Sequence, residues 1–357
     1  MKIENNFELL NYNSFKVSVV AKHFCIVRNV DEVKEALAFA KSNNLKYFIL
    51  GSGSNILFKN KFFDGLVIKN DINYLVENDD NLEVGSGYFW DNLVKYSVEN
   101  NIYGFENLSY IPGTVGAAPV QNIGAYGAEV SNLIVSVNCL DTDTLEEVSF
   151  TNSQAEFAYR ESIFKKHLSA NKYQKYFILS VNFKKDKHSA NNMCDKLDTE
   201  YKDIINYLEQ NNLQKSDLTL VSLREIIIDI RNSKLPDWRA EGAPGTAGSF
   251  FQNIIIEEEK YLELLGKNEE YKNIPAFESE AYGKKFYKLS VGYILDKILG
   301  IKDFKIGQVS VYYNQALVIV NWGGASGDEI YEYSEQLIQK CRDTLGLELE
   351  REVNIIV

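Results

Sequence analysis

Residues 111–127, IPGTVGAAPVQNIGAYG, constrain the fold more than any other stretch of this 357-residue chain. The stretch holds four glycines, three alanines and two of the chain's five prolines. Glycine allows backbone conformations that side chains forbid and lets a ligand approach the main chain, whereas proline fixes φ and stiffens a loop. The composition is typical of a rigid loop around a bound cofactor, although an ordinary connecting loop can have the same residue types.

A second glycine-rich loop, GSGSN at residues 51–55, follows a short apolar strand predicted at residues 47–50. Small residues after a strand leave backbone N–H groups free to point at an anion, so the loop is a candidate pyrophosphate site. It lacks the helix and third glycine of the GxGxxG fingerprint, and alone it is compatible with an ordinary turn. Two such loops in the N-terminal part of the chain favour a dinucleotide.

Charge and composition restrict the partners. The chain has 50 acidic and 38 basic side chains, a formal net charge of -12 and a pI of about 5.0. This balance argues against nucleic acid or an anionic membrane, and an anionic ligand needs a local basic pocket. The N-terminus lacks a signal-peptide pattern, and no stretch reaches the roughly 18 apolar residues of a membrane span. We therefore expect a cytoplasmic protein.

The cysteines and histidines give no indication of a metal or of a serine hydrolase, because they lie in no CxxC, HExxH or GxSxG pattern. We predict neither a metal site nor a disulfide framework. The residues in question are Cys25, Cys139, Cys194, Cys341, His23, His167 and His188.

Hydrophobic periodicity predicts both helices and strands. The first helix should begin at Asp31 as N-cap and bury Val33, Ala36, Leu37 and Ala40 on one face. Further helices are predicted at 90–98, 222–236 and 328–346, and strands at 135–141, 145–150, 177–185, 315–321 and 347–356.

Six motifs in order, GSGSNILF, IPGTVGAAPVQNIGAYG, FAYRESIFK, RNSKLP, GSFFQN and LEREV, resemble the UDP-N-acetylenolpyruvoylglucosamine reductase family of bacterial peptidoglycan synthesis. The resemblance runs from about residue 15 to the C-terminus. It implies an α+β fold, with an FAD-binding domain of the vanillyl-alcohol-oxidase/PCMH type in two subdomains and a C-terminal substrate domain. It also implies non-covalent FAD, NADPH as reductant, and UDP-N-acetylglucosamine enolpyruvate as the small-molecule substrate.

The expected boundaries follow from the positions of the motifs. We expect the first FAD-binding subdomain at residues 1–70 and the second at 71–220, with an inserted substrate loop near 186–212. The substrate domain then covers residues 221–357. The sequence does not determine the oligomeric state, and a monomer is our expectation.

By resemblance, the two glycine-rich loops hold FAD through main-chain groups that meet its diphosphate and ring. The residues assigned to the cofactor are Gly51, Ser52, Gly53, Ser54, Asn55, Ile111, Pro112, Gly113, Thr114, Gly116, Ala117, Gln121, Asn122, Gly124, Ala125 and Tyr126.

The implied reaction transfers a hydride from flavin N5 to C3 of the enolpyruvyl group and a proton to C2. Enolate charge develops beside the carboxylate, so the site needs a cation there and an acid near C2. Arg160 is the predicted cation, because a guanidinium grips a carboxylate bidentately. A surface ion pair with Glu161 or Glu156 is the alternative. Tyr159 matches a catalytic position of the family, and we predict that it positions its neighbours.

Two further residues match the proton-transfer positions of the family. Ser249 matches the donor to C2, and its hydroxyl needs a polarising neighbour to act as an acid. Read without the FFQN motif, it would be an ordinary turn residue. Glu352 matches the carboxylate that assists. Glu350 is the alternative, because it lies two residues away on the same face of the predicted strand.

The UDP diphosphate and sugar are assigned to Tyr201, Lys234 and Asn253. Tyr201 is similar to the tyrosine of a substrate-covering loop in one branch of the family. Tyr207 is its alternative, and both tyrosines could instead pack a surface helix. Arg231 and Arg239 either add to this basic cluster or are solvated.

The chain departs from the family pattern at the rim of the substrate pocket, where residues 237–246 form a longer link, Ile254 replaces a proline and Tyr293 replaces a tryptophan. Two other classes of protein stay open. One is a flavin oxidase of the same fold acting on a small alcohol or sugar. The other is a non-catalytic flavin or sugar-nucleotide binder.

Overall fold

The computed structural model describes residues 1–166, 174–187, 197–281 and 283–357. His167, His188, Cys194 and positions 188–196 of the predicted substrate loop lie outside the described residues. The chain folds into two units, each assembled from separate stretches of sequence. Unit 1 contains Met1–Phe7, Val20–Gly53 and Asp64–Ser233, and unit 2 contains Glu8–Val19, Ser54–Phe63 and Lys234–Val357.

Strands and helices alternate irregularly along the chain, as expected of an α+β protein. The strands are β1 (Glu4–Glu8), β2 (Val20–Val27), β3 (Lys46–Leu50), β4 (Ile56–Phe58), β5 (Phe62–Asn70), β6 (Leu75–Glu77), β7 (Asn81–Gly85), β8 (Gly124–Ala125), β9 (Ala128–Glu129), β10 (Ile134–Asp141), β11 (Glu147–Thr151), β12 (Tyr176–Lys184), β13 (Ile254–Glu257), β14 (Ala276–Ala281), β15 (Lys284–Leu289), β16 (Lys305–Ile306), β17 (Val309–Tyr312), β18 (Gln315–Asn321) and β19 (Asn354–Ile356). The longer helices are α1 (Val30–Ser42), α2 (Trp90–Glu99), α3 (Lys202–Gln210), α4 (Leu220–Lys234), α5 (Glu258–Lys267) and α6 (Gly327–Leu345).

Helix α1 connects β2 to β3 of the first sheet, whose strand order is β1-β2-β5-β3. The predicted buried face of this helix is confirmed. The predicted N-cap is wrong, because Asn29 rather than Asp31 caps the helix and its side chain accepts a hydrogen bond of 2.9 Å from Glu32 N. The cap residue needs an extended backbone, which Asn29 has at φ −154°, whereas Asp31 already lies in the first turn.

A second sheet in unit 1 has the strand order β11-β10-β12-β7-β6. Its three predicted strands are confirmed, and they pair in antiparallel fashion. Trp90, at the start of α2, packs edge-on against Phe183 of this sheet with ring centroids 6.0 Å apart, and both side chains are fully buried. Unit 1 therefore contains two sheets, and a division into two subdomains near residue 70 stays a prediction.

Helix α6 is the longest described element of unit 2. Ser326 and Glu329 form a capping box at its start, and Gly346 ends it at φ +70°, a left-handed conformation that suits glycine. The predicted helix and its buried face are confirmed. The face consists of Ile330, Tyr333, Leu337, Cys341 and Leu345.

The predicted C-terminal strand is only partly regular. Its last three residues form β19, which pairs in parallel with β4 so that Asn354 lies opposite Ile56. The prediction of a strand from residue 347 is wrong, because the earlier residues are joined to an irregular segment through a single bridge between Phe251 and Arg351. Among the helices of the described residues, none combines the length and hydropathy that a bilayer crossing requires.

Candidate active site

The two glycine-rich loops meet in unit 1. A Cβ atom placed on Gly51 would lie 2.8 Å from Thr114 Oγ1 and 3.7 Å from Ala117 Cβ. Position 51 therefore has no room for a side chain unless Thr114 moves, and the backbone of the first loop lies directly on the second.

The second loop is held by backbone hydrogen bonds to the segment before α2. Gly113 O accepts from Trp90 N at 3.0 Å, and Gly116 N donates to Ser86 O at 2.8 Å. A Cβ on Gly116 would lie 2.6 Å from Ser86 Cβ. This glycine is thus required by packing against protein, and its assignment to the cofactor stays a prediction.

Asn122 connects the second loop to neighbouring segments of unit 1. Its buried amide donates to Glu129 Oε2 at 2.8 Å and to Ala158 O at 3.1 Å, and it accepts from Ser131 N at 3.0 Å. These bonds connect the glycine-rich loop to the segment that carries Tyr159. They support a structural role for the side chain of Asn122, which the sequence assigned to the cofactor.

Arg160 lies against the same loop. Its Nη2 donates to Gly124 O at 3.1 Å, and its guanidinium carbon is 5.3 Å from the centre of the Tyr159 ring. Glu156, one of the two alternative partners considered for Arg160, has a 2.6 Å ion pair with Lys166. The guanidinium is therefore oriented by the loop that was assigned to the cofactor.

Tyr201 also reaches this loop, because its ring packs edge-on against Tyr126 with centroids 5.4 Å apart. Tyr201 remains 44% exposed, whereas Tyr207 donates its hydroxyl to Asp229 Oδ2 at 2.8 Å. Burial raises the pKa of Tyr126 to about 12. The contacts therefore favour Tyr201 over Tyr207 as the residue that faces a ligand.

The sequence alone did not determine the position of Arg231. Its Nε is enclosed and has no hydrogen-bond partner within the described residues, and the guanidinium interacts electrostatically with the side chain of Tyr126. Burial lowers the pKa of Arg231, so a solvated position is wrong for this residue. Arg224 lies two helical turns earlier on the same face of α4 and forms a buried pair with Asp91, but only the fold shows that this face of the helix is enclosed.

The remaining basic candidate, unlike Arg231, lies at the surface. Arg239 is exposed and stacks on Trp238, with its guanidinium carbon 4.6 Å from the ring centre.

Two features fit a bound cofactor. The enclosed guanidinium N–H of Arg231 beside Tyr126 fits a ligand that carries hydrogen-bond acceptors. The tight backbone contact at Gly51 fits a ligand that lies close to the main chain. FAD has both properties.

In unit 2, the segment with Ser249 lies beside the segment with Glu352. Glu352 N donates to Phe250 O at 2.8 Å, and Gln252 N donates to Glu350 O at 2.9 Å. Ser249 and Glu352 are half-buried, whereas Glu350 is exposed. Burial strengthens electrostatic interaction, so the surroundings favour Glu352 as the carboxylate.

Other predicted residues of unit 2 have structural partners. Asn55 donates to Glu352 O at 3.1 Å and thereby holds the C-terminal segment. Asn253 Oδ1 accepts from Val291 N at 3.1 Å. Lys234 is half-buried at the end of α4, and Leu235 after it packs on a cluster that contains Tyr312.

The predicted site residues thus form two groups, one in each unit. In the parts of the chain that the structure describes, no group of three or more histidines, cysteines and carboxylates could hold a metal. The group in unit 1 is Gly51, Ser52, Gly53, Ile111, Pro112, Gly113, Thr114, Gly116, Ala117, Gln121, Asn122, Gly124, Ala125, Tyr126, Tyr159, Arg160 and Tyr201, and the group in unit 2 is Ser54, Asn55, Lys234, Ser249, Asn253 and Glu352.

The contact between the loops gives a first prediction. Gly51→Ala should lower the free energy of unfolding by about 1–3 kcal/mol, the usual cost of overpacking, because the new methyl group meets Thr114 Oγ1. Urea unfolding of the FAD-free protein measures the change. The double variant Gly51→Ala/Thr114→Ala should recover most of the loss relative to Thr114→Ala. Gly266→Ala is the control, because a Cβ there meets no atom within 4 Å, and an equal loss in this control would contradict the explanation.

Comparison with known proteins agrees with the folded units. A family model described as "FAD binding domain" matches residues 21–146. A second, described as "UDP-N-acetylenolpyruvoylglucosamine reductase, C-terminal domain", matches residues 240–356. Together with the paired loops, the first match defines a flavoprotein that binds FAD.

Full-length relatives are more specific. UDP-N-acetylenolpyruvoylglucosamine reductase of Flavobacterium johnsoniae is 38% identical over 100% of both chains, and that of Bdellovibrio bacteriovorus is 35% identical over 99% of both. The crystal structure of the reductase from Thermus caldophilus has the same fold, with a TM-score of 0.67, 18% identity and 100% of both chains covered. This chain belongs to the UDP-N-acetylenolpyruvoylglucosamine reductase family.

The predicted family and α+β fold are therefore confirmed, with an FAD-binding domain followed by the C-terminal domain of the reductases. The protein is an FAD-dependent oxidoreductase.

Proposed function

We propose that this protein reduces UDP-N-acetylglucosamine enolpyruvate to UDP-N-acetylmuramate, with NADPH as reductant, in the cytoplasmic synthesis of peptidoglycan precursors. The main support is the pairing of the Ser249 and Glu352 segments in a chain that matches the reductases over its whole length. We further propose that the protein works as a monomer with non-covalently bound FAD.

The residues that would hold FAD are Gly51, Thr114, Tyr126 and Arg231, in and beside the two glycine-rich loops. When bound, FAD would accept a hydride from NADPH and deliver it to C3 of the enolpyruvyl group. The half-buried Arg231 places a positive charge next to Tyr126, where it would attract an electron-rich part of the cofactor.

Arg160 would bind the carboxylate of the enolpyruvyl group. Its guanidinium is already oriented by Gly124 O and the Tyr159 ring, so little reorganisation is needed as enolate charge develops. Tyr159 would act by restricting the guanidinium.

Ser249 would donate the proton to C2, and the half-buried carboxylate of Glu352 on the paired segment would polarise the hydroxyl or the developing enolate. Lys234 would bind the diphosphate as a point charge, and Tyr201 would add its hydroxyl. Asn253 Oδ1 already accepts from Val291 N, so its amide nitrogen would face the sugar nucleotide.

An anaerobic visible spectrum tests this function. NADPH should bleach the flavin band, and the UDP-enolpyruvyl sugar should restore it. Recovery only with oxygen would indicate a flavin oxidase of the same fold. A flavin that neither NADPH nor the sugar nucleotide changes would indicate a non-catalytic binder.

Lys234→Ala should raise the substrate KM by about 10- to 100-fold with a much smaller change in kcat. The reason is that a hydrogen bond from Lys234 to the charged diphosphate, equally strong in the ground and transition states, contributes to substrate binding alone. Steady-state kinetics with varied UDP-sugar measures both constants. Lys267→Ala is a matched control, since Lys267, like Lys234, is the last residue of a helix but is exposed. An unchanged KM in Lys234→Ala would exclude contact with the diphosphate.

A further inference from the structure

Tyr201 lies at the end of a short turn, residues 198–201, which lies against the second glycine-rich loop, residues 111–127. In this turn Asp198 Oδ1 accepts from Glu200 N at 3.2 Å, and Tyr201 is the cap residue of α3. The ring of Tyr201 touches Tyr126 of the loop. The position of the Tyr201 hydroxyl therefore depends on how the turn is held against the loop.

A buried amide, Asn107, makes this connection. The residue is 2% exposed, and its Nδ2 donates to Tyr126 O and to Asp198 O, each at 2.9 Å. Both partners are carbonyl oxygens, which only accept, so the amide nitrogen must face them. The two N–H groups of one side chain thus join the loop to the turn.

The loop conformation at this point requires such support. Tyr126 has φ +49°, which a residue with a side chain rarely adopts, and Gly127 follows at φ +87°. A Cβ on Gly127 would lie 3.0 Å from Asp198 Oδ2, so the turn sits closely on the backbone. A hydrogen bond to Tyr126 O stabilises the left-handed conformation from outside.

Apolar packing alone does not determine this arrangement. Leu197 before the turn and Ile204 in α3 are buried and anchor the segment to the core of unit 1. Hydrophobic burial is non-directional, whereas the two bonds of Asn107 depend on the orientation of the Tyr126 and Asp198 carbonyls.

We propose that Asn107 is a positioning residue for substrate binding. It sets the position of Tyr201 relative to the second glycine-rich loop without contacting the substrate. The proposal rests on the proposed function in one respect, namely that Tyr201 binds the UDP-sugar. It predicts that loss of the two N–H donors weakens substrate binding while the reaction of the flavin with NADPH is unchanged.

Asn107→Asp removes the donors at almost constant shape, and Asn107→Ala removes them without adding a charge. Each net hydrogen bond corresponds to roughly a twofold to tenfold change in an equilibrium constant, so KM for the UDP-sugar should rise about tenfold or more in both variants. The rate of flavin bleaching by NADPH should stay within about twofold of wild type. Asn100→Asp is the matched control, because Asn100 also donates to a backbone carbonyl, Tyr96 O, but is exposed.

A double-mutant cycle separates positioning from general destabilisation. If Asn107 acts through Tyr201, Asn107→Ala should raise KM little further in a Tyr201→Phe background. Additive effects of the two substitutions, or a wild-type KM in both Asn107 variants, would overturn the proposal. Amide hydrogen exchange of residues 197–204 in the FAD-bound protein gives a readout without substrate, and it should accelerate in both variants. Failure of wild type to turn over the UDP-sugar would instead refute the proposed function.

Discussion

Ser249→Ala is expected to slow reoxidation of the reduced flavin by the UDP-enolpyruvyl sugar by about 10²- to 10⁴-fold, the usual contribution of a general acid. Bleaching of the flavin by NADPH should keep its wild-type rate, because no proton reaches C2 in that half-reaction. Anaerobic stopped-flow spectroscopy of each half-reaction measures the two rates separately.

Two further variants make the experiment decisive. Ser249→Cys keeps an ionisable proton at the same position and should recover part of the lost rate. Ser279→Ala removes an exposed hydroxyl from the same unit and should change neither half-reaction. Equal slowing of both half-reactions by Ser249→Ala would show that the serine does not act as the proton donor.

Asp91→Ala is expected to lower the free energy of unfolding by about 3–5 kcal/mol, which is typical when one partner of a buried ion pair is removed. Asp91 is 1% exposed and accepts from both terminal nitrogens of Arg224 at 2.8 Å. Tyr110 N also donates to it at 2.6 Å. The substitution leaves these donors buried without their acceptor. Urea unfolding followed by tryptophan fluorescence measures the loss.

The pair of Lys22 and Asp64 is the matched control, since it has the same separation of 2.8 Å but lies at the surface. Asp64→Ala should change the free energy of unfolding far less than Asp91→Ala does, because water screens an exposed pair. Comparable losses in the two variants would mean that burial does not determine the strength of the Asp91 pair. Because Tyr110 directly precedes the glycine-rich loop, Asp91→Ala should also weaken FAD binding.

Elements with a strong local signal could be predicted from the sequence. Helix α6 carries a periodic apolar face and a terminal glycine, and the strands of the second sheet are rich in β-branched residues. Apart from the local N-cap of α1, the prediction was wrong where a distant partner decides the structure. The C-terminal strand shortens to β19 because its regular partner is β4, almost a whole chain length away.

The residues of the candidate site also divide into those with a local sequence signal and those whose role depends on distant contacts. Motif residues such as Ser249 and Arg160 could be selected because their neighbours in sequence are distinctive. Asn107 and Arg231 could not be assigned in this way, because their roles arise from contacts with Tyr126, which only folding brings near. The opposite also occurs, since Gly116 and Asn122 lie within a distinctive motif yet have protein partners that account for them.

The pairing of β4 with β19 also affects how the protein is made. Asn55, next to β4, and its partner Glu352 are 297 residues apart in sequence. At the usual translation rate of about 5–20 residues per second, β4 is synthesised about 15–60 s before its partner segment. Its three residues, all buried in the folded protein, must remain unpaired during that time. Unit 2 therefore completes its fold late in synthesis, and until then β4 is an unpaired apolar segment that other chains can pair with.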